Sequence, residues 1–219
     1  MMTVGCAGFS VPATRYFKEL AFLEVQETHL ATPGTGTLRR WKREAGPNFG
    51  FALLAPKAFA EEGFRPSPAT DAARASLKTV AAELNAQTVV FTCPAEFAFT
   101  KANRAAVQAC LASMATEFAT VVFEPPPSWA IEPSTALGDA AGALVARDPL
   151  QHGAAPGRVA YYRLHGPAGH KSRYEEAALE RLARLVRDAE HERATCVFTN
   201  VDMFTDAKRF LAALAALGV

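Results

Sequence analysis

Two kinds of hydrophobic pattern alternate along the chain. Short apolar runs rich in Val, Phe and Leu predict strands over 3–7, 22–26, 49–54, 88–92, 120–124, 143–147, 159–165 and 195–200. Between them lie longer stretches with apolar positions three and four apart, as helices require. Residues 70–84 carry Ala73, Leu77, Val80, Ala81 and Leu84; residues 173–190 carry Leu179, Leu182, Leu185 and Val186 opposite a charged face. Further helices are expected over 37–44, 101–117 and 205–217, with one of about two turns over 132–142. Residues 147–158 hold Pro149, Gly153, Pro156 and Gly157 and read as a loop without a helix. A second loop is expected over 63–68.

Strand followed by helix, repeated eight times, predicts an α/β chain with a parallel sheet. The fold class expected is a (β/α)8 TIM-barrel-like architecture, trimmed around strands five to seven. An open doubly wound sheet is the alternative, weakened because no GxGxxG follows the first strand. No repeat, linker or low-complexity tail appears, so 1–219 reads as one domain.

Composition narrows the class. Half of the 219 residues are hydrophobic, which provides a core without staples. Alanine, at 45 residues, favours helix where propensity decides. Lys and Arg total 23 against 22 for Asp and Glu, a net charge of +1 that gives no support to nucleic acid as a partner. No apolar run is long enough for a membrane span, and no signal peptide is recognisable. The four cysteines, 6, 93, 110 and 196, form no CxxC. Reduced thiols in a cytoplasmic protein are expected.

Function in parallel α/β folds gathers where strands end. On the seventh strand Tyr161, Arg163 and His165 share one face. Arg163 is either the anchor of a buried ion pair or a holder of an anionic group. His165 is either a hydrogen-bonded rim residue or a proton-transfer group. On the second strand Glu24, on one face with Phe22 and Gln26, needs a cation, and Arg163 is the natural partner. Asn200, ending the eighth strand, could orient a ligand or cap the next helix. Asp148 closes the sixth strand. Lys171 lies in a glycine-rich basic loop, 165–173, suited to an acidic group or to plain solvation. Trp129, after three prolines, either covers the rim or packs in the core. No HExxH, zinc spacing, GxSxG or P-loop is present. A metal held by His165, Glu24 and Asp148 would meet Arg163 as a repelling neighbour, so neither metal nor cofactor is expected.

These residues resemble the YecE-like domain-of-unknown-function 72 family, whose fold is TIM-barrel-like. Val4-Gly5-Cys6-Ala7-Gly8-Phe9-Ser10 resembles its Gly-Thr-Ser-Gly-Trp opening. Leu23-Glu24-Val25-Gln26, with Pro33 and Arg40-Trp41 beyond, resembles its Val-Glu-Ile-Asn stretch. Residues 49–57 resemble its Phe-x-Phe-x-x-Lys-x-Pro strand, and Pro125 to Trp129 its His-Pro-Ser-Trp turn. Tyr162-Arg163-Leu164-His165-Gly166 matches its Tyr-x-Arg-Leu-His-Gly signature, with Tyr174 following. Phe198 to Asn200 is similar to its Phe-Asn-Asn strand. The likeness runs in order along nearly the whole chain. The departures are Gln26 for Asn, His29-Leu30-Ala31 for an aromatic-aromatic-Arg continuation, Leu54 for Lys, and Glu124 one step out of register. The family has no assigned activity, so the resemblance implies the fold.

Two functions fit. In the first, the chain is a barrel enzyme acting on a small anionic or phosphorylated substrate at the C-terminal rim, with weak preference for hydrolytic or phosphoester chemistry. Glu24 is then the acid/base or its support, His165 a second proton-transfer group, and Arg163, Gln26, Asn200, Asp148 and Lys171 hold substrate. In the second, the same face is a non-catalytic module for an anionic ligand or nucleic acid.

Overall fold

The computed structural model describes all residues from Met1 to Val219. Its strands are β1 (Met2–Ala7), β2 (Phe22–Val25), β3 (Gly50–Leu54), β4 (Thr88–Thr92), β5 (Thr120–Glu124), β6 (Leu144–Val145), β7 (Val159–Leu164) and β8 (Arg193–Phe198). The helices are α1 (Ala13–Glu19), α2 (Thr35–Ala45), α3 (Ala58–Glu61), α4 (Pro68–Leu84), α5 (Lys101–Met114), α6 (Ile131–Ala141), α7 (Pro149–His152), α8 (Glu176–Asp188) and α9 (Met203–Ala216). The strands form one eight-stranded sheet in the order β6-β5-β4-β3-β2-β1-β8-β7. The first and last strands are neighbours, with Val4 opposite Cys196 and Cys6 opposite Phe198 in parallel register. An isolated parallel bridge joins Arg147, just past β6, to Tyr162 on β7. The architecture is α/β of the (β/α)8 TIM-barrel-like kind. It is trimmed where expected: β6 has two residues and α7 has four.

Four connections differ from the sequence reading, one of them by the short unforeseen helix α3. Residues 147–158 are not helix-free, because Asp148 caps α7 through Leu150 N at 2.9 Å and Pro149 sits in its first turn. Helix α6 is longer than the expected two turns, with 11 residues and a left-handed Gly142 at its end. Helix α1 was not foreseen. Only Tyr16 of it is buried, so no apolar stripe marks it in the sequence.

The chain forms two compact units. The first comprises residues 1–24, 44–50 and 146–219. There the Tyr16 hydroxyl accepts from Cys6 N at 2.8 Å and donates to the Phe22 carbonyl at 2.7 Å, stitching β1 to β2. Gly5 lies opposite Phe22, and a Cβ on it would stand 2.1 Å from the Phe22 carbonyl oxygen, so only glycine fits. Phe198, Phe210, Leu23 and Tyr174 fill the core.

The second unit comprises residues 25–43 and 51–145. Its strands are buried through Val89, Val90, Phe91, Val122 and Phe123, as parallel strands covered on both faces require. A capping box of Ser67 and Thr70, with Pro68 next, starts α4. Trp129 packs as core: its Nε1 donates to the Phe97 carbonyl at 2.7 Å, and its ring stacks on Phe97 and meets Phe99 edge-on. The four cysteines are free thiols. No helix is long and apolar enough to cross a membrane.

Candidate functional site

The polar centre of the first unit starts with a buried ion pair. Alternation on β2 and β7 brings Glu24 and Arg163 together, Arg163 Nη2 donating to Glu24 Oε1 at 2.8 Å. The Tyr161 hydroxyl, on the same face of β7, donates to Glu24 Oε2 at 2.8 Å. Glu24 is 0% exposed and Arg163 6%. An ionised carboxylate survives such desolvation only with both oxygens engaged, as they are here. The Glu24 carbonyl accepts from Gly8 N at 2.9 Å, which pins the backbone of β2. So fixed, Glu24 is the buried partner of both Arg163 and Tyr161.

Past the end of β7 stands His165, half-buried. Its Nδ1 lies 2.7 Å from Thr199 Oγ1, and the Thr199 backbone N donates to the Leu164 carbonyl at 2.9 Å, joining the ends of β7 and β8. Asp148, buried at the start of α7, lies within electrostatic reach of His165. Burial pushes its carboxyl above the usual carboxylate range. The hydrogen bond from Leu150 N and the nearby His165 and His152 act in the opposite sense.

Asn200 is 1% exposed, and its amide nitrogen is engaged within the fold. Its Nδ2 donates to Asp206 Oδ2 at 2.8 Å and to the Ser172 carbonyl at 3.0 Å. Asp206 also accepts from Tyr174 N at 3.2 Å and from Arg209 at 2.8 Å. The Tyr174 hydroxyl accepts from Gly166 N at 2.9 Å. Burial, with the carboxylates of Asp148 and Asp206 adding, pushes the Tyr174 phenol far above its usual range. The loop after His165 uses most of its amides internally: Gly166 N on Tyr174, Ala168 N on Ser172, Gly169 N on Gly166 and Ser172 N on Gly169. Its capacity for an anion therefore rests on side chains, with Lys171 exposed on it. Arg173 is engaged by Asp202 at 2.5 Å.

Thus Glu24 and Arg163 are brought into contact, and Asp148 and His165 are brought near each other. Asn200 is turned to Asp206, and Lys171 stands apart in solvent. Gln26 belongs to the second unit, half-buried ahead of the 3-10 turn Glu27–His29. Sequence reasoning missed Tyr161, Thr199 and Asp206 as members of this network. The signal for Tyr161 was present, since it shares a strand face with Arg163; Asp206, six residues past Asn200, had none. No group of three or more His, Cys, Asp or Glu side chains is placed to hold a metal ion.

A parallel eight-stranded α/β sheet with its polar side chains at the strand ends defines a TIM-barrel-like protein, and solved structures agree. A DUF72 family protein from Enterococcus faecalis superposes with a TM-score of 0.79 at 14% identity, over 98% of this chain and 96% of that one. One from Thermotoga maritima gives 0.77 at 17%, over 98% and 99%. The D-psicose 3-epimerase of Clostridium cellulolyticum H10, solved with D-tagatose, gives 0.61 at 10%, over 99% and 97%. The model of the family described as "Protein of unknown function DUF72" matches residues 13–218, and the chain belongs to that family. No curated protein matches it.

Proposed function

We propose that the first unit carries an enzyme site for a small anionic, phosphorylated substrate at the C-terminal ends of β7 and β8. The observation that carries this reading is His165: a half-buried imidazole, tied through Nδ1 to Thr199, beside a buried carboxyl at Asp148. Carboxyl groups whose protonation is displaced by burial, set beside a histidine, are the usual composition of a proton-transfer pair. Arg163 supplies positive field from below, held by Glu24 and Tyr161 as a supporting residue. Lys171 reaches the substrate from the loop. Asn200 acts through Asp206, positioning the start of α9. Hydrolysis of a phosphoester is the preferred reaction, because it asks only for positioned charge and a proton carrier.

A thermal-shift screen against phosphorylated metabolites, sugars and short oligonucleotides tests the substrate class. Stabilisation by phosphorylated metabolites is expected, and it should weaken at least tenfold in midpoint concentration on Lys171→Met. Turnover of the metabolite that binds should fall about 10²–10⁴-fold in His165→Gln with binding retained, the range typical of a lost general acid or base. Binding without turnover in the parent would favour the second reading, a non-catalytic anion-binding module. That reading draws support from the complete burial of Glu24.

A further inference from the structure

The second unit has a cleft of about 750 Å³ whose lining includes His29, Lys57, Glu61, Thr92, Glu96 and Phe97. These residues follow the C-terminal ends of β2, β3 and β4. His29 Nδ1 is 2.8 Å from the Ala55 carbonyl. A carbonyl only accepts, so Nδ1 is the nitrogen that carries the proton, and the lone pair of the corresponding tautomer lies on Nε2. The loop that bears the ring is clamped to the same strand end. Lys57 N donates to the His29 carbonyl at 3.0 Å, and Thr28 Oγ1 donates to the Leu54 carbonyl at 2.6 Å. An imidazole with one nitrogen anchored on the backbone is oriented for recognition through the other.

The charges of the lining select the ligand. Lys57 faces Glu61 at 3.0 Å, both more than half exposed, and Glu96 adds a second carboxylate. Two carboxylates against one ammonium disfavour an anion. The lining combines acceptors at Glu61, Glu96 and His29 with donors at Lys57 and Thr92, a mixture that hydroxyl groups satisfy because each both donates and accepts. Phe97 adds an apolar wall, its ring held against Trp129. Cys93, also in the lining, is no nucleophile: burial, with the Glu124 charge adding, pushes its thiol up to about 12.

We infer that this cleft binds a neutral polyhydroxylated ligand, a monosaccharide or short glycoside, with His29 Nε2 accepting from one of its hydroxyls. The inference does not rest on the anionic site of the first unit. Titration calorimetry with glucose, mannose, xylose, fructose, maltose and cellobiose tests it, with the corresponding sugar phosphates as the contrasting arm. At least one neutral sugar is expected to bind saturably and more tightly than its phosphate. His29→Asn keeps a donor for the Ala55 carbonyl but lacks Nε2, and should weaken binding at least tenfold. Glu96→Gln should weaken it about threefold. Should His29→Asn fail to fold, nitrogen NMR of the parent decides, since the His29 Nε2 resonance must move as sugar is added. No saturable binding by any neutral sugar, tighter binding of the phosphates, unchanged affinity in His29→Asn, or an unmoved Nε2 resonance would each overturn the inference.

Discussion

The two units share one grammar of strand and helix but treat polarity in opposite ways. The buried charged side chains, Glu24, Asp148, Arg163 and Asp206, all lie in the first unit. The second buries only hydroxyls at Thr28, Thr70 and Ser134, each bonded to a nearby backbone carbonyl. Apart from their backbone ladder, its strands bury apolar side chains. Desolvated ion pairs rarely stabilise more than a hydrophobic replacement would. Their concentration in one unit is therefore not explained by stability, and it accords with the function proposed for that unit.

The contrast can be broken most severely at Arg163. Arg163→Met leaves Glu24 buried without its cation and should cost about 3–5 kcal/mol in urea unfolding. Adding Glu24→Gln should recover most of that loss. If the double variant is as unstable as the single one, the pair is not what organises this unit. Smaller is the effect of Tyr161→Phe, expected at about 1.5–3 kcal/mol for a hydrogen bond to a charged group. Its counterpart in the second unit, Ser67→Ala, removes the cap of α4 and should cost about 1 kcal/mol. Equal losses in the two would blur the distinction. The smallest effect is at Asp148. Its folded carboxyl holds a proton to higher pH than the unfolded one, so stability falls as pH rises through that window. Asp148→Asn keeps an oxygen for Leu150 N and should be slightly more stable than the parent at neutral pH. The gap should close as pH drops below the ordinary carboxylate range, and melts at stepped pH would show it.

Much of this frame was legible because strands that are buried on both faces announce themselves as continuous apolar runs. Strands β4 and β5 lie where the runs 88–92 and 120–124 predict them. The Glu24–Arg163 contact was legible too, since two opposite charges inside apolar strands have few other solutions. What failed was short and local. Helix α7 rests on one cap and one proline, a signal hidden between glycines. Helix α1 buries a single tyrosine whose purpose is a hydrogen bond, and hydrophobic periodicity cannot register that. The Asn200 amide is fixed by Asp206, six residues on, and by Ser172, and the 165–173 loop amides by partners within eight residues; such side-chain and turn bonds leave no hydrophobic period to read.

The tyrosine between β1 and β2 has a kinetic consequence. The Cys6 amide proton bonds to the phenol of Tyr16, a residue of α1, rather than to a neighbouring strand. Its exchange with solvent deuterium is thus controlled by detachment of α1, while amides in the ladders beside it wait for the sheet itself to open. One buried backbone position near the end of a strand would then report the loosening of a surface helix, at a free energy below that of global unfolding.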